Sequence, residues 1–160
     1  WILLVLTLVP LGLLGGWLNA TFALGAGRIL KRRLLTGALR ELDQSGNALV
    51  VPAFVAKLLA LEGVQPMVDA CVACGATEDL RVLQLHDGGV FCRSCRRAGQ
   101  PISEEARRSL SLLFTGRVRQ VLDATTPATG QELETLAARM IEQHIERRLQ
   151  SSSVVYEQLS

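Results

Sequence analysis

Four cysteines constrain this chain more than any other feature. They form two Cys-x2-Cys pairs with seventeen residues between the pairs: Cys71, Cys74, Cys92 and Cys95. Two such pairs can close a tetrahedral cage of thiolates around zinc, and four sulfurs fill all the coordination positions of the metal. Because a catalytic zinc needs an open position for water, the spacing predicts a structural Zn²⁺ site and no hydrolysis at this metal.

The segment between the pairs predicts a β-hairpin. Residues 80–86 alternate roughly between apolar and polar side chains, and Asp87-Gly88-Gly89 supplies a tight turn before Val90-Phe91. Gly75, directly after Cys74, lets the backbone turn so that amide groups approach the sulfurs. We therefore expect a small module over residues 69–97, in which a hairpin joins two cysteine knuckles.

Two alternatives for this module stay open at the level of sequence. The same spacing permits two disulfides in a secreted domain, whereas zinc-bound thiolates imply a reducing, cytosolic compartment. His86 could replace one sulfur as a ligand. Because four cysteines are available, we expect His86 to be an exposed strand residue and leave it out of the site.

The rest of the chain predicts helices. A first helix carries an apolar stripe and ends at Ser45-Gly46-Asn47, and a second runs from near Pro52 to Gly63, so that the two form an antiparallel pair. The stripe of the first helix consists of Leu34, Leu35, Ala38, Leu39 and Leu42. After the module, Ser103 can cap a helix that ends at Gly116. The fold class predicted is mainly α, a small helical domain with an inserted four-cysteine zinc knuckle and β-hairpin module.

A final helix is predicted after a loop over residues 125–130. Thr129 and Glu132 have the spacing of a capping box at its start. Its apolar stripe includes Leu133, Leu136, Ala137, Met140, Ile141, His144, Ile145 and Leu149. We expect this stripe to be buried, with His144 as a packed residue.

The N-terminal segment differs from the rest in composition. Residues 1–27 carry no charge, and Arg28, Lys31, Arg32 and Arg33 follow at once, which is the pattern of a membrane span with a positive cytosolic flank. Three readings stay open: a true membrane anchor, a buried apolar helix, and a truncated or frame-shifted upstream reading, which would also explain the first residue, Trp1. We predict an apolar leader over residues 1–30 and a helical domain over 31–160.

The positive charge of the chain gathers around and after the cysteine module. The net charge is +2, yet residues 81–119 hold eight arginines against three acidic residues. Seven of these arginines are candidate DNA contacts: Arg93, Arg96, Arg97, Arg107, Arg108, Arg117 and Arg119. With few aromatic residues available for stacking on bases, such binding would use phosphates and depend on salt. Ordinary solvated helix faces are the alternative.

Sequence signatures of catalysis are missing. The chain has no phosphate-binding loop, H-E-x-x-H helix or G-x-S-x-G elbow. Its carboxylates are scattered, and it has only two histidines, so a general acid and base lack candidates. We predict that the protein is not an enzyme.

From about residue 34 to its end, the chain resembles the C-terminal part of the bacterial RecO family of DNA repair proteins, which are recombination mediators. Four segments carry the resemblance: FVAKLLALEGVQPMVDACVACG (54–75), the glycine pair before VFCRSC (90–95), ISEEARRSLSLLF (102–114) and HIERRLQSSSVVYEQL (144–159). Their order and spacing together are specific, although zinc knuckles alone are widespread.

The resemblance implies a cytoplasmic, nucleoid-associated and non-catalytic protein of DNA repair and homologous recombination. It would bind single- and double-stranded DNA and anneal complementary strands. With its partner RecR it would help the recombinase RecA to replace single-stranded DNA-binding protein, in the RecF pathway. The four cysteines match the zinc ligands of the family, but no arginine can be carried over as a DNA contact.

Two features depart from the family. Its members begin with an OB-fold, which nothing in residues 1–33 resembles, and the uncharged leader is foreign to these soluble proteins. If the leader is a membrane anchor, a membrane-anchored zinc-knuckle adaptor is the alternative function.

Overall fold

A computed structural model describes residues 27–95 and 98–157, most of which are helical. In chain order its elements are α1 (27–45), α2 (Val50–Glu62), β1 (Leu80–Gln84), β2 (Gly89–Cys92), β3 (Gln100–Pro101), α3 (Glu104–Phe114), α4 (Val118–Ala124) and α5 (Pro127–Glu157). The predicted class is confirmed: a mainly α fold receives a small sheet and a four-cysteine cluster between α2 and α3.

Two of the predicted helix ends follow from local chemistry. Helix α2 ends at Gly63, whose φ of 69° is left-handed and suits a glycine. Ser103 caps α3 because its Oγ accepts a hydrogen bond from the backbone N–H of Ala106 at 3.1 Å. Glu104 and Glu105 in the first turn add favourable charge at the positive end of the α3 dipole.

The predicted start of the last helix is wrong. Helix α5 begins at Pro127, so most of the expected loop is helical, and Thr126 Oγ1 accepts from the N–H of Thr129 at 3.3 Å. Glu132 forms no capping box with Thr129. Its two carboxylate oxygens instead accept from the N–H and the hydroxyl of Ser103, both at 2.7 Å. This interaction ties the start of α3 to α5.

The core lies where the helices meet the sheet. Helix α2 packs on α3 and α5, and α3 packs on α4 and α5. Buried residues of these helices include Leu59, Leu110, Leu113, Leu133, Leu136 and Met140. The same apolar cluster continues into the sheet through Leu83, Val90 and Phe91. The cysteine module is therefore packed against the helical body and shares its core.

The sheet is antiparallel, with strand order β2-β1-β3. The predicted hairpin is confirmed, and Leu83 pairs with Val90. The linker before Cys71 joins it, because Met67 N–H donates to Gly88 at 2.8 Å and Val90 N–H donates to Met67 at 2.9 Å. A side chain at Gly89 would collide with the Met67 backbone oxygen and lie 2.9 Å from Val72. Glycine is required there by this close approach.

The apolar stripe of α5 is buried less than expected, and that of α1 is only partly buried. On α1, Leu34 and Ala38 are half-buried, whereas Leu35 and Leu39 are 47% and 57% exposed. On α5, Met140 is buried, whereas Ile141 is half-buried and Ile145 is 50% exposed, and Leu149 lies beyond the side chains that the structure describes. His144 is half-buried on this last part of the stripe.

The membrane-anchor expectation concerns residues 1–27, of which 1–26 lie outside the described residues. In the described ranges, no helix combines the length and the apolar composition that crossing a bilayer requires.

Candidate metal centre

The four cysteine side chains converge on one point. Their sulfur atoms all lie within 4.8 Å of one another, and the Sγ atoms of Cys74 and Cys92 are 3.7 Å apart. All four thiols are free, so the cysteines are not joined as disulfides. A tetrahedral zinc with bonds of about 2.3 Å requires sulfur–sulfur distances of about 3.8 Å. The donor set and its spacing therefore fit a tetrahedral metal with four thiolate ligands.

Two backbone turns place these sulfurs. In the first knuckle, Gly75 has a φ of 75° and donates its N–H to the Cys71 carbonyl at 2.8 Å. In the second, Cys92 is the last residue of β2, and Cys95 N–H donates back to its carbonyl at 3.2 Å. Cys71 and Cys92 are buried, whereas Cys74 is exposed. The cluster thus joins the linker to the hairpin at the edge of the shared core.

The local electrostatics favour one thiolate and disfavour another. A hydrogen bond from the Cys92 backbone N–H, with smaller contributions from Cys74 and Ala73, lowers the pKa of Cys71 to about 6. The neighbouring sulfurs of Cys74 and Cys92, first by hydrogen bonding, raise the pKa of Cys95 to about 12. Four ionised thiols are therefore unfavourable at neutral pH unless a cation compensates their charge, as a bound divalent metal would.

His86 lies apart from this cluster. It is exposed in the turn after β1, and its Nδ1 is 3.1 Å from the side-chain amide nitrogen of Gln143 on α5. Within the part of the chain that the structure describes, the group of side chains close enough to hold a metal consists of the four cysteines. His86 thus connects the hairpin turn to α5.

The structure separates the candidate arginines into different environments. Arg93, Arg108, Arg117 and Arg119 are exposed, whereas Arg96 and Arg97 lie outside the described residues. Arg107 is buried: its Nη1 donates to the Val68 carbonyl at 2.9 Å, and its Nε and Nη2 donate to both carboxylate oxygens of Glu104. Arg108 pairs with Glu104 as well, at 2.8 Å. The sequence analysis missed Glu104 as their partner, although spacings of three and four residues on a helix would have indicated it.

The Glu104 carboxylate predicts a pH dependence of stability. Hydrogen bonds from Arg107, and then Arg108, lower its pKa from 4.5 to about 2. Its contribution is therefore complete above pH 4.5 and is lost as the pH falls towards 2. Because this side chain is 47% exposed, we expect Glu104→Gln to reduce the free energy of unfolding by about 1 kcal/mol or less at pH 6.

Urea unfolding of both proteins across this pH range measures the effect. The difference between them should shrink as the pH approaches 2.5. A difference that stays constant or grows towards low pH would contradict the assignment. Since both proteins keep the same cysteines, acid release of metal affects them equally.

Comparison with known proteins shows which family this chain resembles. The family model described as "Recombination protein O C terminal" matches residues 33–153. A protein named DNA repair protein RecO from Streptomyces coelicolor is 35% identical over 121 residues, which is 74% of this chain and 48% of that protein. Its namesake from Syntrophomonas wolfei is 36% identical over 96 residues, 56% of this chain and 38% of the relative. No solved structure matches the chain significantly.

The matched region contains all four cysteines and the elements around them, from α2 to all but the last four residues of α5. The Thermobifida fusca protein of the same name, 29% identical over 124 residues, is covered to 51% of its length. The chain thus spans about half the length of the curated relatives it matches, or less. By the match to its C-terminal domain model over most of these 160 residues, the chain belongs to the RecO family.

Proposed function

We propose that the protein acts in DNA repair and homologous recombination as a non-catalytic mediator that binds and anneals DNA. The observation that carries the proposal is the family match over residues 33–153, which includes the complete four-thiol cluster. Three relatives in the comparison bear the name DNA repair protein RecO. The non-catalytic role is supported by the cluster itself, because four thiolates leave no open position on a tetrahedral metal.

We propose Zn²⁺ as the resident metal at Cys71, Cys74, Cys92 and Cys95. Zinc is the usual ion of four-cysteine structural sites and has no redox chemistry of its own. The burial of Cys71 and Cys92 against the shared core supports a structural role. In that role the metal holds the hairpin against the linker and the helices.

The arginines would contact DNA through its phosphates. The exposed guanidinium groups of Arg93, Arg117 and Arg119 suit this role, and Arg108 shares its charge with Glu104. Arg96 and Arg97 remain candidate DNA contacts on the basis of the sequence alone. Arg107 donates to internal acceptors, so we leave it out of the proposed contact surface.

The partners that we propose are those implied by the RecO family. They are single- and double-stranded DNA, RecR and single-stranded DNA-binding protein, in the RecF pathway and in the bacterial cytoplasm at the nucleoid. A mediator of this kind acts by binding DNA and proteins, which agrees with exposed arginines and a four-thiol site of structural type.

Titration of labelled oligonucleotides tests the proposal. We expect the chain to bind single- and double-stranded DNA with an affinity that falls as salt rises from about 50 to 200 mM, since bound phosphates release counterions. We also expect it to retain RecR in a pull-down and to accelerate annealing of complementary strands. Absence of both salt-dependent DNA affinity and association with RecR would overturn the proposal.

A further inference from the structure

Helices α1, α2 and α4 enclose a groove with a volume of about 1360 Å³. Two aromatic rings line it, Phe54 of α2 and Phe114 at the end of α3. Both rings are half-buried: they pack against the core on one side and keep part of their surface accessible. The third phenylalanine in the described part of the chain, Phe91, is buried in the sheet. Among the described residues, the phenylalanines with accessible surface are therefore the two that line this groove.

Four cations line the same groove: Arg33, Lys57, Arg117 and Arg119. They come from all three walls, since Arg33 lies on α1, Lys57 on α2, and the other two at the start of α4. Among the side chains that the structure describes, over residues 27–95 and 98–146, none of these four cations takes part in an ion pair. By contrast, Arg81 pairs with Asp79.

Acidic residues do not neutralise the groove. Its lining holds two carboxylates, Glu41 and Asp123, against the four cations. The sequence offered no sign of this arrangement, because Arg33 and Lys57 lie outside the arginine-rich stretch of 81–119. The positive surface arises because α1, α2 and α4 line one groove.

We propose that this groove binds a single-stranded polynucleotide, with bases stacked on Phe54 and Phe114 and phosphates held by the four cations. The inference rests on the proposed DNA-binding function and specifies its surface. Grooves that bind single strands combine positive charge along the backbone with aromatic rings that accept any base. Duplex DNA fits less well, since its base faces are stacked on one another and cannot reach the rings.

The distribution of charge favours a polynucleotide over an acidic peptide. A polynucleotide carries one negative charge at every nucleotide, which matches cations contributed by three separate elements. A short acidic peptide would need its cations gathered at one place. The groove therefore has the chemistry of a binding site for a chain of regularly spaced phosphates.

Two kinds of variant test the two parts of the site, with fluorescence anisotropy of a labelled oligothymidine as the measurement. Phe54→Leu and Phe114→Leu keep an apolar side chain but remove the ring, and we expect each to weaken binding about tenfold with an unchanged salt slope. Arg117→Gln and Arg119→Gln should each reduce the slope of log affinity against log salt by about 0.7. If these residues had only a structural role, the phenylalanine and arginine variants would not differ in which quantity they change, the affinity or its salt slope.

Arg139→Gln is the matched control, because Arg139 is exposed on α5 and does not line the groove. We expect this variant to bind oligothymidine as tightly as the unaltered chain to within about twofold, with a loss of slope well below 0.7. The phenylalanine variants should lose less affinity for a duplex of equal length than for the single strand. Circular dichroism shows whether each variant is folded. If a phenylalanine variant does not fold, the salt slopes of Arg117→Gln and Arg119→Gln test the inference.

The outcomes separate this inference from the proposed function. If the unaltered chain binds oligothymidine and the groove variants bind it as Arg139→Gln does, the groove assignment is wrong and the proposed function stands. If the unaltered chain binds no DNA at any salt concentration, the groove assignment is wrong, and the proposed function is overturned with it when association with RecR is absent as well. If the groove variants lose only the ability to bind an acidic, aromatic-containing peptide, the groove belongs to a protein partner and the inference is overturned.

Discussion

Replacing Cys92 by serine is expected to unfold residues 71–95 while the helices stay largely formed. Metal binding in modules of this kind contributes on the order of 10 kcal/mol or more of folding free energy at neutral pH. Cys92 ends β2 and its sulfur lies 3.7 Å from that of Cys74, so its loss opens the cluster at the hairpin. The helices keep contacts of their own, because α2, α3 and α5 pack directly on one another.

The measurement combines elemental analysis, circular dichroism and hydrogen exchange. Freshly isolated, never-oxidised protein should contain one equivalent of zinc, and the serine variant should contain far less. Backbone amides of β1 and β2 should lose protection, whereas those of α3 and α5 should keep most of theirs. Spectroscopy of cobalt-substituted protein should show four thiolate ligands.

Ser94→Ala is the matched control, since Ser94 lies between the last two cysteines and is exposed. It should retain metal and the protection of both strands. Loss of the entire helical signal in the Cys92 variant would contradict the prediction and show that the helices depend on the module through the apolar core that they share. Absence of bound metal in the unaltered protein would refute the metal centre itself.

The features that the sequence predicted well depend on neighbours along the chain. The knuckle at Gly75, the hairpin and the cap at Ser103 each follow from residues within a few positions. The capping box at Thr129 failed for the opposite reason. Glu132 has the right spacing for a local cap, yet it bonds to Ser103, twenty-nine residues away in the chain. A tertiary partner can override a local preference, and spacing alone does not reveal it.

The arginines show the same limit in the candidate site. Counting charges along the chain placed Arg107 and Arg117 in one group, but the fold turns Arg107 inward and sets Arg117 in a groove with Lys57. Which acceptor a guanidinium reaches depends on how helices pack, since Val68 and Arg107 lie thirty-nine residues apart. The four cysteines could be singled out as candidate metal ligands from sequence, because their spacing is that of a four-thiolate site.

Arg107→Ala and Arg108→Ala are expected to differ strongly in stability, although the two residues are adjacent and share Glu104 as a partner. Arg107 donates to the carbonyl of Val68, which is buried, and its removal leaves that acceptor unsatisfied. This loss, together with the packing of its aliphatic stem, should reduce the free energy of unfolding by about 2 to 3 kcal/mol. Arg108 is 73% exposed, so its removal should cost about 0.5 kcal/mol or less.

Urea unfolding of the metal-saturated proteins measures both values. Equal slopes of the unfolding free energy against urea concentration show that the variants do not change the compactness of the folded or unfolded state. Arg107→Lys refines the test: it keeps the charge but cannot donate simultaneously to Glu104 and Val68 as the planar guanidinium does. It should therefore lie between the unaltered protein and the alanine variant. Equal destabilisation by Arg107→Ala and Arg108→Ala would mean that the Val68 interaction contributes nothing. A loss of DNA affinity in folded Arg107→Ala, with a reduced salt slope, would return this residue to the DNA-contacting surface.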